Sequence, residues 1–237
     1  MGKEMKLPVN QIICGDCLEV MKDWPDGCVD LVLTDPPYPK EFDYVWGYLG
    51  TSYRVLKDGG FLGTLCGHYQ MPLVIDTLRE AGFDWFWPCL HENNNQPIMF
   101  GFKVKVCHKP FLWFRKGKGL PNRIFYDNFS LRCKTTDWKE AQSHHKWGQD
   151  SSMLWEPIDA FSSPDSIILD PFCGSGTTCL AAKKLGRNYI GIDISSEYCE
   201  IARKRLEAVD TGVPVKEADA GQMPMFPLMP NPSPPQG

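Results

Sequence analysis

The chain alternates short apolar runs with stretches of helical period. Asn10 to Gly15 is a short apolar run, and Cys17 to Trp24 predicts a helix of about one and a half turns that Trp24-Pro25-Asp26-Gly27 turns back. Val29 to Thr34 (VDLVLT) is nearly continuous in apolar residues, the mark of a strand covered on both faces of a parallel sheet. Glu41 to Leu56 reads as a helix stopped by Lys57-Asp58-Gly59-Gly60, and Phe61 to Cys66 as the next strand. Met71, Val74, Ile75 and Leu78 fall at i, i+3, i+4 and i+7, which predicts an amphipathic helix ending at Gly82. Phe83 to Leu90 and Val104 to Phe114 predict two strands antiparallel to each other.

The rhythm lapses over residues 115–150 and then resumes. A helix near Met153 to Phe161, a strand Ser166 to Leu169, a helix Thr177 to Leu185, a strand Asn188 to Ile192 and a helix Glu197 to Val209 complete the series. Strands alternating with helices predict an α/β domain with a mostly parallel sheet, helices on both faces and an antiparallel pair at one edge. The expected organisation is one domain over 1–209 with an inserted segment at 115–150. A mobile Pro- and Met-rich tail follows at 210–237.

Composition changes this picture little. At 237 residues with 43% hydrophobic and 23% charged side chains, the chain is an ordinary globular domain, neither fibrous nor disordered. No apolar run approaches the roughly 18 residues that span a bilayer, and Met1 to Pro8 lacks the apolar core of a signal peptide. No membrane partner and a cytoplasmic location are therefore expected. Ten cysteines scattered through predicted strands and loops suit thiols in a reducing compartment. Cys14 and Cys17 form one C-x-x-C with no second pair, so no metal site is expected.

Two motifs carry chemistry. Asp170-Pro171-Phe172-Cys173-Gly174-Ser175-Gly176-Thr177-Thr178 joins a predicted strand to a predicted helix, where open α/β sheets bind ligands. Its glycines let backbone approach a ligand, and the helix start offers free N–H groups. Asp193, seventeen residues after Gly176, ends the next strand, where a carboxylate can take the two ribose hydroxyls of a nucleoside cofactor. The second motif, Asp35-Pro36-Pro37-Tyr38, ends the strand Val29 to Thr34. Its prolines fix the backbone, so a carboxylate and a rigid carbonyl can accept both N–H bonds of an exocyclic base amine. That favours a pyramidal nitrogen with a free lone pair, able to attack a methyl group held on a sulfonium. Tyr38 is placed to stack on a base flipped out of its duplex.

Together these motifs resemble the amino-specific DNA methyltransferases of permuted, beta-type motif order, in which D-P-P-Y precedes the glycine-rich loop. The resemblance covers about residues 10–209. It implies a Rossmann-like fold dependent on S-adenosylmethionine and a methyl group delivered to adenine N6, or to cytosine N4 by the same geometry. Members acting on cytosine more often carry Ser at the position of Asp35, which tilts the expectation to adenine. The resemblance also implies roles: Asp16 on the cofactor's adenine, Asp193 on its ribose, and Asp170, Phe172, Cys173, Gly174, Ser175, Gly176 and Thr177 in the cofactor loop. Asp35 adjoins that site and, with Pro36, Pro37 and Tyr38, forms the catalytic tetrad. The family's His-Pro-x-Gln-Lys-Pro segment is matched here only at His145 of His145-Lys146-Trp147-Gly148-Gln149-Asp150. Gln149 and Ser151 are the candidate contacts to the methionine end of the cofactor.

Charge locates the partner. Residues 103–146 carry eleven Lys or Arg against three acids, a net of +8 in a chain whose total is −4. That asymmetry fits a phosphate-binding face for double-stranded DNA, with Lys116, Lys118, Arg123, Arg132 and Lys134 as candidate contacts. The interleaved aromatic residues read mostly as the core of a small subdomain. Further partners left open are a second copy of the chain and a cognate restriction endonuclease. The rival readings are an RNA or protein-amide methyltransferase, which generally places its glycine loop first, an inactive nucleic-acid binder, and an oxidoreductase, which leaves D-P-P-Y unexplained.

Overall fold

The computed structural model describes residues 6–37, 45–92, 98–99, 103–128 and 154–211. Strands β1 (Gln11–Cys14), β2 (Val29–Thr34), β3 (Leu56–Leu65), β4 (Asp84–Glu92), β7 (His108–Arg115), β8 (Ile167–Asp170) and β9 (Asn188–Asp193) form one sheet in the order β1-β9-β8-β2-β3-β7-β4. The pairs β1/β9, β9/β8, β8/β2 and β2/β3 are parallel, whereas β7 runs antiparallel to both β3 and β4. The edge strand β4 therefore shares the common direction, and the reversed strand lies one place in from the edge. A separate two-stranded sheet pairs β5 (Ile98–Met99) with β6 (Val104–Lys105). The predicted strand Val104 to Phe114 is thus two strands, broken between Lys105 and His108.

Helices cover both faces. α1 (Cys17–Met21), α2 (Val45–Val55) and α3 (Met71–Glu80) pack Trp46, Leu49, Val74 and Leu78 against Val32, Leu62 and Leu112. On the other face lie α4 (Trp155–Phe161), α5 (Thr177–Lys184) and α6 (Ser196–Thr211), whose Ile158, Phe161, Leu180 and Leu206 meet Leu31, Leu33, Trp113 and Ile168. Phe161 stacks on Trp113 at 3.9 Å between ring centroids. Burial on both faces explains the unbroken apolar runs of the central strands, since neither side of these strands meets water.

The strand β3 starts earlier than the glycine pair suggests. Gly59 and Gly60, read as a helix stop, lie inside it, Gly59 at φ 82°, and the pairing with β2 slips between Val29 and Leu31. The order of the sheet reverses between β8 and β2, from which consecutive connections run to opposite edges. Such a switch point opens a crevice at the carboxyl ends of the strands. Among the described residues no helix is long and apolar enough to cross a membrane, and no metal-ligand cluster occurs.

Candidate active site

The carboxyl ends of β1, β9, β8 and β2 bring the four predicted acids to one edge of the sheet. Asp16 caps α1, accepting from Leu18 N at 2.8 Å. Gly15 N donates to Asp193 O at 2.9 Å, which sets the Asp16 turn beside the end of β9. Asp193 accepts from Gly174 N at 2.8 Å and from Ser195 N at 2.9 Å, one bond on each carboxylate oxygen. Each oxygen keeps a further lone pair, so two hydroxyls can still bind there.

The loop from Pro171 to Gly176 separates its two glycines by task. Gly174 has φ 50°, and a Cβ on it would meet nothing within 4 Å. This is the open side of the loop. Gly176 has φ 81° as the N-cap of α5, and a Cβ there would lie 2.8 Å from Cβ of Ala202. Its absent side chain admits α6, not a ligand. Arg205 of α6, buried, donates to Ser175 O and Ser175 Oγ at 2.8 Å and to Thr177 Oγ1 at 3.3 Å, clasping the loop from behind. No sequence signal marks Arg205, because its helix is separated from the loop by a whole strand.

Two residues expected on the cofactor turn inward. Asp170 is 3% exposed and accepts from Thr34 Oγ1 at 2.6 Å and Phe172 N at 3.1 Å. Burial pushes its carboxyl up to about 6, against the hydrogen bonds of Thr178, Thr34 and Phe172. Asp170 thus holds the loop and ties β8 to β2. Cys173 is also buried, with its Sγ 3.0 Å from where a Cβ on Gly191 would stand and donating to Gly174 O at 3.8 Å. Phe172 is half-buried against the α1–α3 side of the core.

Across the crevice, Asp35 follows β2 with a quarter of its side chain exposed, Pro36 is buried and Pro37 exposed. Both carboxylate oxygens of Asp35 accept from Lys109 Nζ, at 2.8 and 3.1 Å. Burial raises the Asp35 carboxyl above the ordinary carboxylate range, and the Lys109 ammonium pulls against it. Lys109 is 4% exposed, and burial lowers its ammonium while Asp35 draws it back up. Counted among the basic residues of a DNA face, Lys109 belongs instead to the site. Only the reversed direction of β7 brings its first residues to this edge.

The other basic candidates divide. Lys116 donates to Tyr53 O and Leu56 O, and it follows Arg115, which pairs with Phe61, itself opposite Leu31 near the start of β2. That is the edge opposite the crevice. Exposed Lys118 follows in the turn where Gly119 meets Gly59, on the same far edge. The direction of β7 thus sets these two candidate DNA contacts at the end of the sheet away from the crevice. Arg123 is committed to Asp159 at 2.7 Å and lies 3.8 Å from Glu156. From there the chain runs back up beside β4, where Leu90 N donates to Asp127 O and Asn128 bridges Leu90. Tyr38, Arg132, Lys134, Gln149 and Ser151 lie outside the described residues.

A seven-stranded sheet with one reversed strand, helices on both faces and a glycine loop and acids at its carboxyl edge is the Rossmann-like fold of S-adenosylmethionine-dependent methyltransferases. The crystal structure of the M1.HpyAVI–SAM complex superposes with a TM-score of 0.65 at 27% identity, over 83% of this chain and 98% of that one. The family model described as DNA methylase (N6/N4 methyltransferase) matches residues 29–204, and the chain belongs to this family. The type II methyltransferase M.HinfI of Haemophilus influenzae is 27% identical over 251 residues, 85% of this chain and 69% of M.HinfI. PvuII DNA methyltransferase, cytosine-N4-specific, has a TM-score of 0.65 at 19% identity, over 82% of this chain and 85% of that one, a likeness of fold alone.

Proposed function

We propose that this chain transfers a methyl group from S-adenosylmethionine to the N6 amine of adenine in double-stranded DNA, with the base flipped into the crevice between β8 and β2. The observation that carries the reading is the placement of Asp35 at the end of β2, across the crevice from the glycine loop that Asp193 and Arg205 hold. The open side of Gly174, the unfilled lone pairs of Asp193 and the uncapped start of α5 fit a nucleoside cofactor. Asp16 is the candidate contact to its adenine. S-adenosylmethionine, when bound, supplies an electrophilic methyl group on a sulfonium.

The residues do the rest. Asp35 and a carbonyl held by Pro36 and Pro37 accept the two N–H bonds of the amine, which concentrates its lone pair for attack. Tyr38 stacks on the flipped ring. With that donor in place, the amine nitrogen would take the methyl group and the electron pair of the broken S–C bond would stay on sulfur. The nitrogen then sheds one proton to the Asp35 carboxylate, which returns it to water after release. An Asp at position 35 supports the adenine reading, and the glycine loop's place after D-P-P-Y supports DNA over RNA or a protein amide. The family model spans N6 and N4 enzymes alike, which keeps N4 of cytosine as the second reading by the same geometry.

The test is transfer from labelled S-adenosylmethionine into unmethylated DNA, followed by nucleoside analysis. N6-methyladenine is expected, and N4-methylcytosine would overturn the base assignment while keeping the mechanism. Asp35→Asn should slow transfer by about 10²–10³-fold with cofactor affinity retained. Loss of cofactor binding as well would remove Asp35 from its proposed role.

A further inference from the structure

We propose that Lys109 is a positioning residue for methyl transfer, fixing Asp35 as an aimed carboxylate through a buried ion pair, and is not a contact to DNA phosphate. The inference rests on the role assigned to Asp35 above. β7 and β2 are separated by β3, so about 10 Å of sheet lies between their backbones. Lys109 spans that distance because β3 ends at Leu65 and its next residue, Cys66, is small. Cys66 N donates to Pro110 O, which fixes Lys109 beside the end of β3.

The geometry then restricts what the lysine can do. Its Nζ bridges both oxygens of Asp35 at 2.8 and 3.1 Å, and the side chain is 5% exposed. A buried ammonium is tolerated only with its counter-charge, and a phosphate outside cannot reach one this enclosed. A carboxylate offers about four lone-pair sites; the lysine occupies one on each oxygen and leaves others for an amine N–H. The pair therefore prevents rotation of the carboxylate about its bond to Cβ. It also opposes the protonation that burial encourages, and a protonated Asp35 could no longer accept the amine proton.

The titratable groups facing the pair are Cys66 just after β3, His91 from β4 and Asp170 from β8. The Cys66 thiol, pushed up to about 12 by burial, stays neutral across the useful range. Asp170 titrates near 6 and His91 adds positive potential, but both are shared by any Lys109 variant and drop out of a comparison. Removing the lysine should raise the Asp35 carboxyl, so the active carboxylate form is reached only at higher pH.

The experiment compares single-turnover methyl transfer from pH 5.5 to 9.5 in the full chain, Lys109→Met and Lys109→Arg, with S-adenosylmethionine affinity measured by calorimetry. For Lys109→Met the acid limb is expected to move up by about 1–3 pH units, a loss of about 10–1000-fold below it that recovers as pH rises. Lys109→Arg keeps the charge and should keep the limb near its original place. Cofactor affinity should stay within about twofold in both, a bound for a residue remote from the glycine loop. An unmoved limb with an equal loss at every pH would reduce Lys109 to a structural part, and a faster Lys109→Met would make it a plug; either overturns the proposal. If the unaltered chain methylates no DNA, the proposed function fails instead. The pair is then tested by denaturant unfolding of Asp35→Asn, Lys109→Met and the double variant. A double variant no less stable than the worse single one is expected, and strict additivity refutes the coupling.

Discussion

Replacing Gly176 by alanine asks the glycine loop to hold a side chain it was folded without. The residue has φ 81°, and the added methyl would stand 2.8 Å from Cβ of Ala202 and 3.3 Å from its Cα. The left-handed conformation costs an alanine about 1–2 kcal/mol, and overlap with a backbone that cannot swing aside adds about 1–3 kcal/mol. The stiffer unfolded chain returns about 0.4–1 kcal/mol. The net loss is about 2–4 kcal/mol, a fall of about 1–2 M in the urea midpoint for a slope near 2 kcal/mol/M. Gly174→Ala is the paired control, two residues away in the same loop at φ 50° with nothing within 4 Å of the new methyl. It should lose only about 1–2 kcal/mol of stability. Its cofactor affinity should fall about 10–100-fold as the methyl enters the space the nucleoside would fill. Urea titration and calorimetry on both variants test this division. Equal losses of stability, or a Gly174→Ala variant that binds S-adenosylmethionine undiminished, would refute the assignment of one glycine to the helix and the other to the ligand.

Other outcomes follow from the same contacts. Asp170 carries a native pKa near 6 against about 3.9 unfolded, so the native state holds its proton longer and stability falls as pH rises from about 4 to 6. About 3 kcal/mol is lost across that window, and Asp170→Asn should flatten this part of the stability profile measured by thermal or urea unfolding. Thr34→Val removes a buried 2.6 Å bond to that carboxylate and should cost about 1.5–3 kcal/mol in urea titration. Arg205→Met should weaken S-adenosylmethionine binding in calorimetry while leaving any binding of DNA alone unchanged, since its bonds go to Ser175 and Thr177. Lys118→Ala, on the far edge, should leave the DNA dissociation constant in gel-shift titrations within about twofold, a bound for a residue distant from the proposed cleft.

Legibility from sequence followed the range of the forces involved. The Asp35 and Gly174 motifs are visible because each follows the end of a strand and is carried by residues adjacent in the chain. The alternation of Val29–Thr34 with Met71–Leu78 likewise predicts sheet and covering helices directly. Lys109 is invisible as a site residue because its partner lies 74 positions away and only the reversal of β7 brings them together. The same reversal sends Lys116 and Lys118 to the far edge, and charge counting carries no information about which end of a strand a lysine occupies. Gly176 and Gly174 look alike in sequence, and only the approach of α6 distinguishes them.

Strand β1 pairs with β9 alone, Gln11 beside Ile190 and Cys14 beside Asp193, so the first strand made is completed by the last. On the ribosome the intervening chain takes roughly 10–35 s to emerge at 5–20 residues per second. Throughout that time β2, β3, β7 and β4 can assemble, while Asp16 has no neighbour to share a cleft with. The proposed nucleoside site is therefore completed only after β9 has been made. A nascent chain stalled before Asn188 would carry Asp35 and Lys109 yet lack a finished place for the methyl donor, which delays competence until the whole domain is built.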